Sequence, residues 1–140
     1  MALSKKQLLK HLNDEVYCRL GVSPVHGIGV FAIRAIPKGV NPMKSRLDFE
    51  ELAFSHDEIK SLPRSVRKEI DIFCYYTAQA VFIPSIGLNA MNMAVYMNHS
   101  KTPNVQYRPN GQLVSLRAIK AGEEVLMDYD VNFGETHTFD

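Results

Sequence analysis

Three stretches of the sequence carry glycine or polar residues at spacings that could serve a bound ligand. They are HGIGVFA (residues 26–32), MNHSKTPNV (97–105) and AGEEVLMDYD (121–130). The first contains a Gly-x-Gly turn, and a pair of glycines lets a ligand lie directly against the backbone. The second places Asn98, His99 and Ser100 after an apolar run, at the edge of a core. The third ends in Asp128 and Tyr129, and a tyrosine hydroxyl can orient a reacting group by hydrogen bonding.

The glycine turn matches the dinucleotide-binding fingerprint, because Gly27, Gly29 and Ala32 form a Gly-x-Gly-x-x-Ala pattern. That fingerprint requires a helix that begins at the loop and directs its N-terminal amides at an anion. The residues after Gly29 are β-branched and aromatic instead, and Pro37 and Gly39 would soon end any helix. The turn is therefore predicted to join two strands, either as a plain tight turn or as a turn that binds a ligand.

Neither a metal site nor a cysteine nucleophile is expected. The five histidines show no ligand spacing, and Cys18 and Cys74 form no Cys-x-x-Cys pair. Both cysteines are predicted to be reduced structural thiols. A cysteine hydrolase that uses Cys74 is disfavoured, because Cys74 shares an apolar helix face with Ile70 and Phe73, where a thiol is inert.

The composition is typical of one globular domain. The chain has 140 residues, of which 46% are hydrophobic and 22% charged, and this is enough to bury a single core. Without a long apolar segment, we expect an intracellular, soluble protein. The net charge of +1 is unevenly spread: residues 1–46 carry eight Lys or Arg against two acids, and residues 120–140 carry one Lys against six acids. Either these ends are only solvated faces, or the acidic end attracts a basic partner.

The elements that must position the three stretches are predicted to be mostly strands. In chain order we predict an N-terminal helix (1–15), a first strand block with the Gly-x-Gly turn (16–46), a helical insert (47–78), a second block with the Asn-His-Ser and Asp-Tyr motifs (79–130) and a short tail (131–140). Ser4 is the expected helix cap, and Pro63 is expected in the first turn of a helix in the insert. Asn110-Gly111 predicts a hairpin, and EEVLMDYDV predicts the last strand.

Together and in this order, the three stretches resemble the motifs of the SET-domain protein lysine methyltransferases. That family has a Gly-x-Gly near its start, an Asn-His-Ser followed by Pro-Asn, and a Gly-Glu-Glu segment ending in Asp-Tyr. The likeness extends from about Val16 to Tyr129. It implies a mostly β, β-clip-like SET fold with short helices and several small sheets, in which the Asn-His-Ser and Asp-Tyr segments cross in a knot-like arrangement. The chain would then be a single SET domain.

The resemblance also implies an activity, S-adenosyl-L-methionine-dependent N-methylation of lysine in a protein. The residues implied to contact the cofactor are His26, Gly27, Ile28, Gly29, Asn98, His99, Tyr129 and Phe133. Tyr129 would also be catalytic, by orienting the amine or the cofactor. The lysine channel would be lined by Tyr76, Tyr96 and Met127.

The same resemblance suggests which partners to expect. The substrate would be a protein with an exposed lysine, such as a histone or another basic chromosomal protein. No direct nucleic-acid binding and no membrane association are expected, and the protein would be a monomer or a homodimer. Its location would be nuclear or host chromatin if the substrate is a histone, and cytoplasmic otherwise.

The chain departs from the family's pattern in its expected lysine channel. The family often has Glu-Tyr-x-Gly-Glu after the first Lys-Gly, whereas KGVNPMKSRLDFE offers no tyrosine there. Tyr75, Tyr76 or Tyr96 could replace it, although each could equally be a core aromatic. Met127 stands two residues before Tyr129. At this position the family often has Phe or Tyr, and the residue is linked to the number of methyl groups added. The altered channel leaves an alternative open, a non-catalytic SET-like module that binds a peptide or a partner protein.

Overall fold

Short strands and short helices alternate along the chain. The structure is a computed structural model that describes residues 3–45 and 49–133, with the side chains of residues 3–45 and 49–131. The helices are α1 (Lys5–Asp14), α2 (His56–Lys60), α3 (Arg64–Phe73) and α4 (Tyr129–Phe133), and a 3-10 helix covers Met93–Tyr96. The strands are β1 (Cys18–Val22), β2 (Ile28–Ala32), β3 (Glu51–Phe54), β4 (Tyr75–Tyr76), β5 (Val81–Pro84), β6 (Asn98–His99), β7 (Val105–Tyr107), β8 (Leu113–Ser115) and β9 (Glu124–Met127).

The chain divides into two compact units, which are described separately. The first consists of residues 1–45 and 96–140, and the second of residues 46–95. The prediction that the whole chain is one domain stays a prediction. None of the helices in the described ranges is long and apolar enough to cross a membrane.

Helix α1 confirms the helix predicted at the N-terminus. Ser4 Oγ accepts from the Gln7 backbone N–H at 3.1 Å, and Gln7 Oε1 accepts from the Ser4 N–H at 2.9 Å. This reciprocal capping box satisfies two backbone donors that a helix start otherwise leaves without partners.

The main sheet of the first unit brings the glycine turn and the other two motifs onto neighbouring strands. Its order is β1-β2-β9-β6. β1 and β2 pair antiparallel on either side of the glycine turn, which confirms that the turn joins two strands. β9 pairs antiparallel with β2, and it pairs parallel with β6 through Asn98↔Leu126 and His99↔Met127. The Asn-His-Ser and Asp-Tyr segments therefore run side by side, although the paired residues Asn98 and Leu126 lie 28 positions apart in sequence.

The rest of the first unit supplies the predicted hairpin and a dense core. β7 and β8 pair antiparallel, and Gly111 in their connection has φ +84, a left-handed conformation that favours glycine. The side chains with at most 1% exposure include Val30, Ile36, Met97, Val105, Ile119 and Val125. Met97 and Val125 directly precede or lie within the strands that carry the site, so the polar site residues rest on this core.

The helical insert predicted over residues 47–78 contains strands as well as helices. Besides α2 and α3 this range contains β3 and β4, which flank β5 in a three-stranded sheet. The pairings Tyr75↔Phe82 and Tyr76↔Val81 stabilise a strand of only two residues, so pairing rather than local pattern decides its structure. Its core is Ile59, Ile70 and Val81.

Two local predictions within α3 are also corrected. Pro63 is the N-cap of α3 rather than a residue of its first turn, and Cys74 is the extended C-cap residue rather than part of a helix face. Cys74 still packs against the core of the second unit, so its structural role as a partly buried thiol is retained.

The last strand is shorter than predicted, because Asp128 ends it and caps a helix. The sequence EEVLMDYDV was expected to be one strand, but β9 stops at Met127 and α4 begins at Tyr129. Asp128 Oδ1 accepts from the Asp130 N–H at 2.9 Å and from the Val131 N–H at 3.4 Å. A carboxylate that accepts from the first amides of a helix stabilises its N-terminus.

Candidate functional site

A buried serine organises the turn that leads to the two glycines. The Ser23 N–H donates to the Gly27 carbonyl at 2.8 Å, which closes the loop between β1 and β2. Ser23 Oγ accepts from the backbone N–H groups of Val25 at 2.9 Å and His26 at 3.3 Å. Gly27 adopts φ +49, and a Cβ placed there would meet no atom within 4 Å. The loop is thus fixed from within, while the space beside Gly27 stays open.

Gly29 is needed for a different reason, the close approach of three side chains. A Cβ at this position would lie 2.3 Å from Glu124 Oε2, 3.0 Å from Asn98 Nδ2 and 3.0 Å from Ser23 Cβ. Because real Cβ atoms do not approach other atoms that closely, any larger residue would displace the polar groups around it.

Asn98 connects the glycine turn to the centre of the sheet. Its side chain is buried, with 4% exposure. Asn98 Nδ2 donates to the His26 carbonyl at 2.9 Å and to Glu124 Oε2 at 3.0 Å, and lies 3.5 Å from the Ile28 carbonyl. All three partners are acceptors only, so the amide has one chemically consistent orientation. Among the described residues, no group donates to Asn98 Oδ1.

Tyr129 is held at both ends by the residues on either side of Asn98. Its hydroxyl donates a short hydrogen bond to the Met97 carbonyl. Its backbone N–H donates to His99 Nδ1 at 3.0 Å, and the two rings lie 5.3 Å apart. His99 Nδ1 acts here as an acceptor, so the neutral ring carries its proton on Nε2.

Burial raises the pKa of the Tyr129 hydroxyl to about 12, with a smaller contribution from Tyr107. A phenol whose neutral form is favoured in this way remains protonated across the physiological range. Tyr129 is therefore a fixed hydrogen-bonding group and not a base.

The predicted motifs meet on three consecutive residues. The Met97 carbonyl binds the Tyr129 hydroxyl, the Asn98 amide binds the glycine turn, and the His99 ring binds the Tyr129 amide. A one-residue shift of β6 against β9 would reverse the faces of these side chains and break all of these contacts. The arrangement can hold a small ligand at the turn and present a hydroxyl group at a fixed place in the same unit.

Three groups of metal-ligating type also lie close together beside Tyr129. One ligand atom from each of His99, Asp128 and Asp130 falls within 4.8 Å of the others. The spacing of the histidines did not indicate this group, because His99 lies 29 residues before Asp128 in the chain. Lys101 Nζ contacts Asp128 Oδ1 at 3.5 Å and makes a close contact with Asp130 Oδ2, and these contacts raise its pKa, chiefly through the bond to Asp130. The ammonium of Lys101 therefore balances Asp128, which caps α4, and Asp130 in its first turn.

The remaining predicted site residues are distributed as follows. His26 and Ile28 are exposed at the turn, and Met127 is buried at the end of β9, in register with His99. Tyr96 is half-buried at the end of the 3-10 helix and directly precedes Met97. Tyr76 lies on β4 in the second unit with 44% exposure, and the side chain of Phe133 is outside the described residues. The structure thus brings the turn, Asn98, His99 and Tyr129 together within the first unit.

Sequence reasoning missed Glu124 and Asn104, although both stand in motifs that it identified. Glu124 accepts from Asn98 and from Ser23 Oγ. Asn104 is buried; its Nδ2 donates to the Glu124 carbonyl at 2.8 Å, and its Oδ1 accepts from the Leu126 N–H at 2.8 Å. The Asn104 side chain therefore pairs with the backbone of β9 as a neighbouring strand would. The Gly-Glu-Glu and Pro-Asn patterns were the available signals, but no role had been assigned to these side chains.

A family model and several solved structures are similar to this chain. Residues 27–130 match the SET domain family model, whereas no curated protein matches the chain. A solved structure from Plasmodium falciparum, described as a candidate histone methyltransferase, is 16% identical with a TM-score of 0.51, and the match covers 86% of this chain and 99% of the other.

Two further structures contain a humanized mutant of the Chaetomium thermophilum Polycomb Repressive Complex 2, each bound to an inhibitor. Both are 23% identical with TM-scores of 0.53, and they cover 92% and 91% of this chain. This chain spans only 17% of the Polycomb chain. At these identities the likeness establishes the fold and confirms the fold class expected from the sequence.

Proposed function

We propose, from the premise that the chain belongs to the SET domain family, that it is an S-adenosyl-L-methionine-dependent protein lysine N-methyltransferase. The observation that carries this proposal is the convergence on Met97, Asn98 and His99. These consecutive residues bind the glycine turn on one side and the backbone and hydroxyl of Tyr129 on the other.

The residues of the turn fit the cofactor that the family implies. The space beside Gly27 is open, so the backbone there is accessible to a ligand. Asn98 Oδ1 receives no hydrogen bond from the described residues, while both protons on Nδ2 have partners. Asn98 therefore offers an acceptor, which suits the α-ammonium of the cofactor's amino-acid part. His26, Ile28, Gly29, His99, Tyr129 and Phe133 would complete the site, and the bound cofactor would supply an electrophilic methyl group.

Tyr129 would position the lysine amine. Its hydroxyl donates to the Met97 carbonyl, and a phenol oxygen can in addition accept a hydrogen bond from an N–H of a neutral amine. A free lysine has a pKa of about 10.4, and a narrow, dry channel favours its neutral form. Since the pKa of Tyr129 is raised to about 12, the hydroxyl would orient the amine and not remove its proton. Such orientation of reacting groups is a large source of rate enhancement.

The substrate we propose is a basic protein segment, such as a histone tail. The acidic residues of the segment 120–140 would attract it, and the solved structures of similar fold include one described as a candidate histone methyltransferase. Within the first unit, Tyr96 and Met127 remain the proposed channel residues, and Tyr76 of the second unit stays a prediction from the sequence. With a histone substrate the protein would act at chromatin.

The test combines cofactor binding with product detection. The wild-type protein is titrated with S-adenosyl-L-methionine by calorimetry, and it is then incubated with isotope-labelled cofactor and a panel of histones, with an acidic protein as control. Mass spectrometry should find methylated lysines in a basic protein, and Asn98→Ala should abolish the binding heat. Absence of any heat up to millimolar cofactor would refute the proposal. Binding heat without any methylated product would favour the peptide-binding module instead.

A further inference from the structure

Glu124 lies at the point where the three motifs of the site meet, although no motif assigns it a role. Glu124 Oε1 and Oε2 each lie 2.8 Å from Ser23 Oγ, and Oε2 also lies 3.0 Å from Asn98 Nδ2. The backbone at Gly29 passes so close that a Cβ there would be 2.3 Å from Oε2. One carboxylate therefore contacts the turn, β2 and β6 at the same time.

We propose that Glu124 is a positioning residue that fixes whether the oxygen or the nitrogen of the Asn98 amide meets the cofactor. The inference rests on the proposed function and extends it to a residue that contacts no reacting atom. Its effect is to keep Asn98 Oδ1 exposed to the ligand as an acceptor, so that the site selects a ligand with a protonated α-amino group.

The hydrogen-bond pattern explains why a carboxylate is required for this. An asparagine amide can rotate so that its oxygen and nitrogen exchange places. Without Glu124, only the neutral carbonyls of His26 at 2.9 Å and Ile28 at 3.5 Å oppose that rotation. The Glu124 carboxylate adds a charged acceptor at 3.0 Å, and the rotated amide would place Asn98 Oδ1 against it without a proton between them. Hydrogen bonds to a charged group are stronger than those between neutral groups, so Glu124 holds one orientation.

The charge of Glu124 contributes a second effect. In the described part of the chain no Lys, Arg or His forms an ion pair with this carboxylate, and its hydrogen-bond donors are the neutral groups of Ser23 and Asn98. A partly buried carboxylate without a counter-ion favours the binding of a positive group nearby. The α-ammonium of the proposed cofactor is such a group.

The neighbouring residue provides a matched control. Glu123 has the same side chain but faces the surface, where its Oε2 lies 2.9 Å from Arg117 Nη2 and its Oε1 accepts from the Lys120 N–H at 3.0 Å. Glu123→Gln removes one negative charge one residue away from Glu124 and leaves the site contacts untouched.

The experiment measures the affinities of two ligands for four proteins. The ligands are S-adenosylhomocysteine and its analogue that lacks the α-amino group, and the proteins are the wild type, Glu124→Ala, Glu124→Gln and Glu123→Gln. The ratio of the two dissociation constants reports how strongly a protein recognises the amino group. Circular dichroism and thermal unfolding check that each variant is folded, and Glu124→Gln, which can still accept from Asn98, is the variant expected to fold if Glu124→Ala does not.

We expect the wild type and Glu123→Gln to prefer the amino ligand to the same extent. Glu124→Ala should lose about 10- to 100-fold of that preference, which corresponds to the loss of a charge-assisted contact. Glu124→Gln should fall between them, since it keeps an acceptor for Asn98 and loses the charge. An unchanged ratio in the folded Glu124 variants would overturn the inference while leaving the proposed function intact. A wild type that binds neither ligand would overturn both.

Discussion

Replacing Tyr129 by phenylalanine isolates the group on which the proposed chemistry depends. Tyr129→Phe retains the ring that packs 5.3 Å from the His99 ring. It also retains the backbone N–H that donates to His99 Nδ1 at 3.0 Å. The change removes one hydroxyl, and with it the hydrogen bond to the Met97 carbonyl.

The expected effects on stability and on activity differ in size. One lost hydrogen bond that leaves a partly buried carbonyl without its partner costs about 1 kcal/mol of unfolding free energy, or about 3–5 °C in Tm for a chain of this size. The hydroxyl would act directly on the amine, and removal of one such oriented group typically lowers kcat by about 100- to 1000-fold. Asn98 and the glycine turn are unaffected, so the cofactor Kd should change by less than about threefold.

The assay compares kcat, cofactor Kd and Tm for the wild type, Tyr129→Phe and Tyr17→Phe. Tyr17 is the control because its ring lies 4.4 Å from the Arg34 guanidinium, a contact that phenylalanine can keep. Equal kcat values for Tyr129→Phe and the wild type would refute the role assigned to Tyr129. The same kcat loss in Tyr96→Phe, with Tyr129→Phe unaffected, would identify Tyr96 as the relevant hydroxyl.

Other predictions concern the scaffold and can be checked without any substrate. Gly29→Ala should lower the unfolding free energy by about 1–3 kcal/mol through overpacking against Glu124, whereas Gly27→Ala should cost only about 1–2 kcal/mol through its left-handed backbone; urea unfolding of both variants tests the order. Asn104→Ala should cost about 2–5 kcal/mol in the same assay, since it leaves two backbone groups of β9 without partners; a loss no greater than that of a surface substitution would contradict the role of Asn104. Burial raises the pKa of Cys18 to about 11, so at mildly alkaline pH its thiol should react slowly with a disulfide reagent until the protein unfolds, and rapid reaction of the native thiol would show that it is accessible.

The elements that local chemistry decides could be predicted from the sequence. Ser4 and Gln7 form the capping box of α1, and Asn110-Gly111 connects β7 and β8 with Gly111 in the left-handed region. In each of these, a few adjacent residues carry the whole signal. The same holds for the strand character around Gly27 and Gly29, which excluded the helix of a dinucleotide-binding fold.

The elements that distant pairing decides could not be predicted. β4 has only two residues and depends on its pairing with β5. The end of β9 was missed for a related reason, because the apolar pattern of EEVLMDYDV continues past Met127. What stops the strand is the Asp128 carboxylate, which accepts from the Asp130 and Val131 amides. An aspartate before a short helix is a recognisable cap signal, but the alternating pattern outweighed it.

The two adjacent glutamates show where prediction of the site from the sequence ends. Along a strand, successive side chains point to opposite faces, so the pattern Gly-Glu-Glu predicts that one glutamate faces inward and the other faces solvent. It cannot say which, because that choice depends on the register Val30↔Val125 and Phe31↔Glu124 between β2 and β9. In the observed register, Glu124 accepts a hydrogen bond from Asn98, and Glu123 accepts one from Arg117 at the surface. A shift by one residue would exchange their roles and remove the carboxylate from Asn98. The register of β9 therefore decides whether a negative charge lies beside the Asn98 amide.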